Sequence, residues 1–176
     1  VVDAARRVFR TLPAGFVPGH PIAGSEQSGV MAGKASLFDK HKVILTPLAE
    51  TSAHALQTVR LVWEAMGATV LEMSVERHDE VLAKTSHLPH LLAFSLVDTL
   101  ARESENLDIF RYAAGGFRDF TRIAASDPVM WHDIFLANKP AVLNALQHFS
   151  MGVEQLRIAI EQDDSETLLG IFTRAK

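Results

Sequence analysis

The chain has 176 residues, of which 48% are hydrophobic and 22% charged, enough to bury a substantial core in one or two small domains. A net charge of −4, with no cluster of Lys and Arg interleaved with aromatics, argues against nucleic acid as a partner. No apolar run approaches the roughly 20 residues that cross a bilayer, nothing reads as a signal segment, and the absence of cysteine excludes disulfides, so the expected setting is cytoplasmic with no membrane partner.

The chain opens on a helical stretch, "VVDAARRVFRTL", followed by a strand in "GFVPGHP". "KVILT" (42–46) and "ATVLEMS" (68–74) are short continuous apolar runs, the pattern of strands buried on both faces of a parallel sheet. Between them Ala53, Leu56, Val59, Trp63 and Met66 recur at three- and four-residue steps. Thr46-Pro47 offers that helix a cap and first turn, and Gly67 a stop. The order is helix, strand, loop, strand, helix, strand, ending in a βαβ crossover. A chain that opens this way is expected to lack the part that precedes its first helix.

From Val75 onward the strand signals stop. "LPHLLAFSLVDTLA" (88–101) is apolar on nearly every side and predicts a helix buried among others, with Pro89 freeing the carbonyl of Thr85 and kinking the chain. Asp127-Pro128 starts a further helix. After Pro140 the residues Val142, Leu146, Phe149, Val153, Leu156 and Ile160 form a heptad-like seam that needs a partner helix, within the chain or on another copy. The fold class is therefore α/β plus all-α, with domains at residues 1–74 and 75–176.

Three polar groups stand out. "GFVPGHPIAGSEQSGV" (15–30) places His20 between Gly19 and Pro21, with Ser25 and Glu26 close behind. "SHLPH" puts His87 and His90 one helical turn apart on one face. In "AAGGFRDFTRIAASDP" (113–128) Gly115-Gly116 break regular structure, and Asp119 and Arg122 sit three apart on the segment after them. Each has a plainer explanation: a hydrogen-bonded turn histidine, a packed pair of imidazoles, a surface ion pair worth a few tenths of a kcal/mol. A different class of function is a metal-dependent helical phosphohydrolase using His78, Asp79, His87 and His90, with Asp98 or Asp108 completing the sphere.

The motifs "GFVPGHPIAGSEQSGV", "VILTP", "SHLPH" and "GGFRDFTRIAASDPVMW", in this order, resemble the prephenate dehydrogenase family, which includes cyclohexadienyl and arogenate dehydrogenases. The resemblance runs over nearly the whole chain. It implies a Rossmann-like nucleotide-binding domain followed by an all-helical dimerisation domain, and so turns the seam toward an intermolecular role. One departure matters: there is no G-x-G-x-x-G after a first strand. Residues 1–74 are accordingly expected to be only the C-terminal part of a Rossmann domain. The fragment alone is expected to bind dinucleotide poorly and to be inactive, a module for substrate binding and dimerisation.

The activity implied is NAD-dependent oxidative decarboxylation of prephenate to 4-hydroxyphenylpyruvate in tyrosine biosynthesis, with NADP as alternative cofactor and arogenate as alternative substrate. By the same resemblance His20 takes the proton of the ring hydroxyl. Arg122 holds a substrate carboxylate and Asp119 orients it. His90 lies near the pyruvyl side chain, Ser86 and His87 line the same face, and Ser25, Glu26 and Gly115 match pocket positions, with Glu26 gating through a cation. Trp131 is a pocket wall or a dimer contact.

Overall fold

The computed structural model describes residues 1–24, 29–103 and 111–176. They belong to two compact units, Val1–Val81 with Ala125–Asp127, and Leu82–Ala124 with Pro128–Lys176.

The first unit is built on one short sheet. Strand β1 (Gly19–Ile22) runs antiparallel to β2 (Lys42–Leu45), and β3 (Thr69–Glu72) runs parallel to β2 on its other side. Val43 and Leu45 are fully buried, with Ala68 beside them, because β2 is the central strand. Helix α1 (Val2–Val8) precedes the sheet. Helix α2 (Ala53–Ala65) connects β2 to β3 and covers the core with Leu56, Val59 and Trp63, three of the five residues its periodicity marks, while Ala53 and Met66 are exposed. Phe38 meets the Trp63 ring edge-on at 5.0 Å. Gly67 ends α2 at φ +83°, and a Cβ there would come within 2.9 Å of the Asp39 carboxylate.

Two expectations about this unit are corrected. Thr46-Pro47 does not start α2: Ser52 does, its hydroxyl accepting from the Ala55 N–H at 3.2 Å. Residues 46–52 instead form a loop tied to the segment before β1, through Thr51 Oγ1 donating to the Phe16 carbonyl and the Ser52 N–H to that of Ala14. Nor is the 68–74 run buried on both faces. Val70 is half-buried and Leu71 exposed, since β3 is an edge among the described strands. Helix α3 (Val75–Leu82) comes directly after β3.

The second unit is helical. A π-turn at Ala83–His87 leads into α4 (Leu88–Arg102), and α5 (Gly115–Thr121) passes into a 3₁₀ turn at Arg122–Ala125. Helices α6 (Pro128–Ala137), α7 (Lys139–Glu161) and α8 (Ser165–Ala175) complete it. Its core is Ala83, Val142 and Ala145, packed by Leu88, Leu91 and Phe135. The irregularity expected at Pro89 takes the form of the π-turn. Proline brings no N–H, and the helix accommodates an extra residue with the Leu88 N–H reaching the Ala83 carbonyl.

Helix α4 is less covered than its composition predicts, only Ala93 being fully buried while its leucines are half-buried. Gly115-Gly116 open α5 rather than break regular structure. Along α7 the seam is buried at Val142, half-buried at Leu146 and Leu156, and exposed at Phe149, Val153 and Ile160. None of the described helices is long and apolar enough to cross a membrane.

Candidate functional site

In the first unit the sheet places His20. Register sets His20 opposite Ile44, and the Thr46 N–H donates to the Pro18 carbonyl at 2.9 Å, fixing the entry into β1. Pro21 is tolerated because β1 is an edge strand. Gly19 allows the close approach, since a Cβ there would stand 3.0 Å from Cδ2 of the fully buried Leu45.

The same central strand places the partner of His20. The Met73 N–H donates to the Leu45 carbonyl, and the Ser74 hydroxyl caps α3 by accepting from the Arg77 N–H at 3.1 Å. One turn into α3, His78 holds Asp79 Oδ1 through Nδ1 at 2.8 Å, and its Nε2 lies 2.9 Å from His20 Nδ1. The two rings are tilted by 59° with centroids 5.1 Å apart. His20 remains exposed, yet the surrounding protein draws enough water from the ring to lower its pKa below the usual imidazole value of 6.5, and a charge on His78 lowers it further.

The second unit holds the other imidazoles. His90 stacks on Trp131 with centroids 3.7 Å apart and planes inclined by 22°, while His87 meets the same indole edge-on at 6.1 Å. His90 Nδ1–H donates to the Ser86 carbonyl at 2.8 Å, which leaves Nε2 as its acceptor nitrogen when neutral. The Asn138 amide donates to Nδ1 of the buried His87 at 3.2 Å, the opposite arrangement. Phe135 closes on Trp131 at 5.5 Å. The buried indole N–H of Trp131 meets no acceptor among the described residues.

Of the remaining sequence candidates, Gly115 is the exposed first residue of α5, with open space where a Cβ would stand. Asp119 and Arg122 are both exposed, Arg122 at the head of the 3₁₀ turn. The passage from α5 into a tighter turn changes the helical register between Asp119 and Arg122. Ser25 and Glu26 lie outside the described residues.

Among the described residues no three or more His, Asp or Glu side chains are grouped to hold an ion. Within the first unit His78 bridges His20 and Asp79, and within the second His87 and His90 are packed on Trp131. Asp98 is paired with Arg102 at 3.0 Å, and Asp108 lies outside the described residues. Sequence reasoning misses Asn138 as the partner of His87 and His78 as the partner of His20. The first has a faint signal, a polar residue just before Lys139-Pro140 at a helix start. The second, across 58 positions, has none.

The chain is similar to the cyclohexadienyl dehydrogenase of Zymomonas mobilis, 46% identical over 163 residues, which cover 92% of this chain and 56% of that protein. It is 44% identical over 178 aligned positions to the prephenate dehydrogenase of Bacillus subtilis, covering 100% of this chain and 47% of that protein. Among solved structures, prephenate dehydrogenase from Aquifex aeolicus in complex with hydroxyphenyl propionate and NAD+ matches with a TM-score of 0.86 at 46% identity, over 91% of this chain and 56% of that one. The chain spans about half the length of the curated relatives it matches. Residues 1–72 match the nucleotide-binding domain of prephenate dehydrogenase and residues 74–174 its dimerization domain, and the chain belongs to the prephenate dehydrogenase family.

Proposed function

We propose that this chain serves the NAD-dependent oxidative decarboxylation of prephenate to 4-hydroxyphenylpyruvate, with arogenate as the alternative substrate. Residues 1–74 belong in this reading to a Rossmann-type nucleotide-binding domain, and residues 75–176 bind substrate and dimerise. The observation that carries it is His20, an exposed imidazole of lowered pKa held at one nitrogen by His78, in a chain of this family.

In the reaction a hydride leaves the ring carbon that bears the hydroxyl, the ring carboxylate departs as carbon dioxide, and the ring becomes aromatic. His20 takes the hydroxyl proton as the hydride leaves, a task for a neutral imidazole, and the oxygen regains a proton as the phenol forms. Arg122, with a planar fork of donors, holds a substrate carboxylate. His90, fixed by its stack on Trp131 and by the Ser86 carbonyl, offers Nε2 to the pyruvyl side chain. His87, Ser86 and Gly115 are neighbouring substrate-binding positions, and Ser25 and Glu26 belong to the same set by resemblance alone.

NAD would supply the hydride acceptor. The described residues do not build its pyrophosphate cradle: the 46–52 connection between β2 and α2 contains no glycine, and the α2 terminus is capped by Ser52. The homodimer reading is supported by the apolar side chains left exposed on α7 and α8, among them Phe149, Met151, Ile160, Leu169 and Phe172.

The test is a coupled assay on an enzyme that carries this chain, following reduction of NAD, and of NADP in parallel, against release of carbon dioxide and 4-hydroxyphenylpyruvate. Equal stoichiometry with prephenate is the expected result. Absence of turnover with both prephenate and arogenate would remove the reading.

A further inference from the structure

The three groups His20, His78 and Asp79 form an unbroken line of hydrogen bonds, and the identity of its last member fixes the direction of all the others. An ionised carboxylate only accepts, so the proton between Asp79 and His78 belongs to His78 Nδ1. A neutral imidazole carries one N–H. Nε2 of His78 is then a lone pair, and it stands 2.9 Å from His20 Nδ1. The proton in that second bond can only come from His20. This leaves His20 protonated at Nδ1 and bare at Nε2, the reverse of the form a free histidine side chain prefers in water.

We propose that His78 is a positioning residue, backed by Asp79, that locks His20 in its Nδ1–H tautomer so that Nε2 is the nitrogen that accepts the substrate's proton. The catalytic meaning rests on the reading of His20 as the base; the tautomer itself does not.

The fold supports the lock at both ends. β1, which carries His20, and Met73, just before the Ser74 cap of the helix that carries His78, are each hydrogen-bonded to β2, whose inner residues are buried. The backbones that carry the two rings are thus anchored to one central strand. Burial and the neighbouring imidazole both hold His20 toward its neutral form, the form in which tautomer identity matters. Once Nε2 gains a proton, the cation on His20 lies two hydrogen bonds from the Asp79 carboxylate. This is the logic by which an acid orients and supports a catalytic histidine elsewhere, here with a second imidazole interposed.

The test reads the tautomer directly. Long-range proton–nitrogen correlation spectra of this chain, labelled with nitrogen-15 and held at about pH 8, well above the ordinary imidazole pKa, should show His20 as the Nδ1–H form. His78→Gln, whose amide oxygen still accepts from Nδ1–H, should preserve that form, and His78→Leu should release His20 to the Nε2–H form. A wild-type His20 protonated at Nε2, or an unchanged tautomer in His78→Leu, would overturn the proposal, and the first needs no variant to fold. In an enzyme that carries this chain, His78→Leu should lower kcat by about tenfold or more with KM little changed, and His78→Gln should recover most of it. If His20→Asn leaves kcat intact, the base reading fails while the tautomer result stands. If His20→Asn is costly and His78→Leu is not, the positioning role fails.

Discussion

His20 and His90 each bind through Nδ1 at under 3 Å, but to different kinds of partner: another imidazole backed by a carboxylate for His20, a backbone carbonyl for His90. The carbonyl cannot titrate, and the ring of His90 is further pinned flat against a buried indole. His20 is exposed, and every group in its chain of contacts can gain or lose a proton. The contrast separates two tasks. The first unit presents a ring whose charge is free to change; the second presents rings whose orientation is fixed. Substitutions should accordingly reach turnover in the first unit and affinity or stability in the second.

The largest effect expected is at His20. His20→Asn keeps a polar side chain that hydrogen-bonds to a hydroxyl but takes no proton from it, so kcat should fall by about 10²–10⁴ while KM stays near its original value. The wild-type kcat should rise with pH through an apparent pKa below 6.5, because only the neutral ring accepts, and that limb should flatten in the variant. An unchanged limb would return His20 to the role of a turn-bracing residue.

Trp131→Ala should strike stability instead. The indole is 6% exposed and carries the His90 stack, the His87 edge contact and the Phe135 contact, so its loss should cost about 3–5 kcal/mol in urea denaturation. His20→Asn, at an exposed position, should cost less than about 1 kcal/mol by the same measurement. Equal losses would erase the distinction between the two centres.

Arg122→Ala should weaken prephenate binding by roughly 2–4 kcal/mol, read as a raised KM, with kcat much less affected. A carboxylate held equally in ground and transition states contributes uniform binding, and that is what KM reports. An unmoved KM would make Arg122 a surface residue.

How much of the fold and the site is legible in the sequence depends on the range of the interactions. The apolar run 43–45, the face of α2 at Leu56, Val59 and Trp63, and the stop at Gly67 all depend on neighbours a few residues away, and all stand where the sequence places them. The start of α2 does not, because Thr51 and Ser52 bond to Phe16 and Ala14, more than thirty residues back, and these tertiary bonds outweigh the local signal of Thr46-Pro47. The seam from Val142 to Ile160 is visible as a pattern, but a pattern does not name the surface that covers it. The His20–His78 contact joins residues 58 positions apart through a shared central strand, and no local periodicity encodes it. His78 and Asp79 stand out in the sequence as a dyad that suggests metal, because adjacency shows the residue types and not the group that the other imidazole nitrogen meets.

The smallest effect is the most direct measure of the contrast. The folded state holds the pKa of His20 below 6.5, first by desolvation and then by the coulombic effect of His78. As pH falls, the unfolded chain therefore takes up this proton before the folded one does. Stability from this group is complete above about pH 6.5 and declines as pH falls toward the lowered folded value, below which no further loss comes from it. The ring is exposed, so solvent keeps the decline below about 1 kcal/mol. Urea midpoints at pH 7.5 and 5.5 for the wild type and His20→Asn measure it together with its coupling to His78, because the other titrating groups keep their surroundings in both proteins. The wild type should lose more stability on acidification than the variant. A larger loss in the variant would mean that the fold favours the His20 cation, with Asp79 dominating over burial, and the neutral resting base would have to be given up.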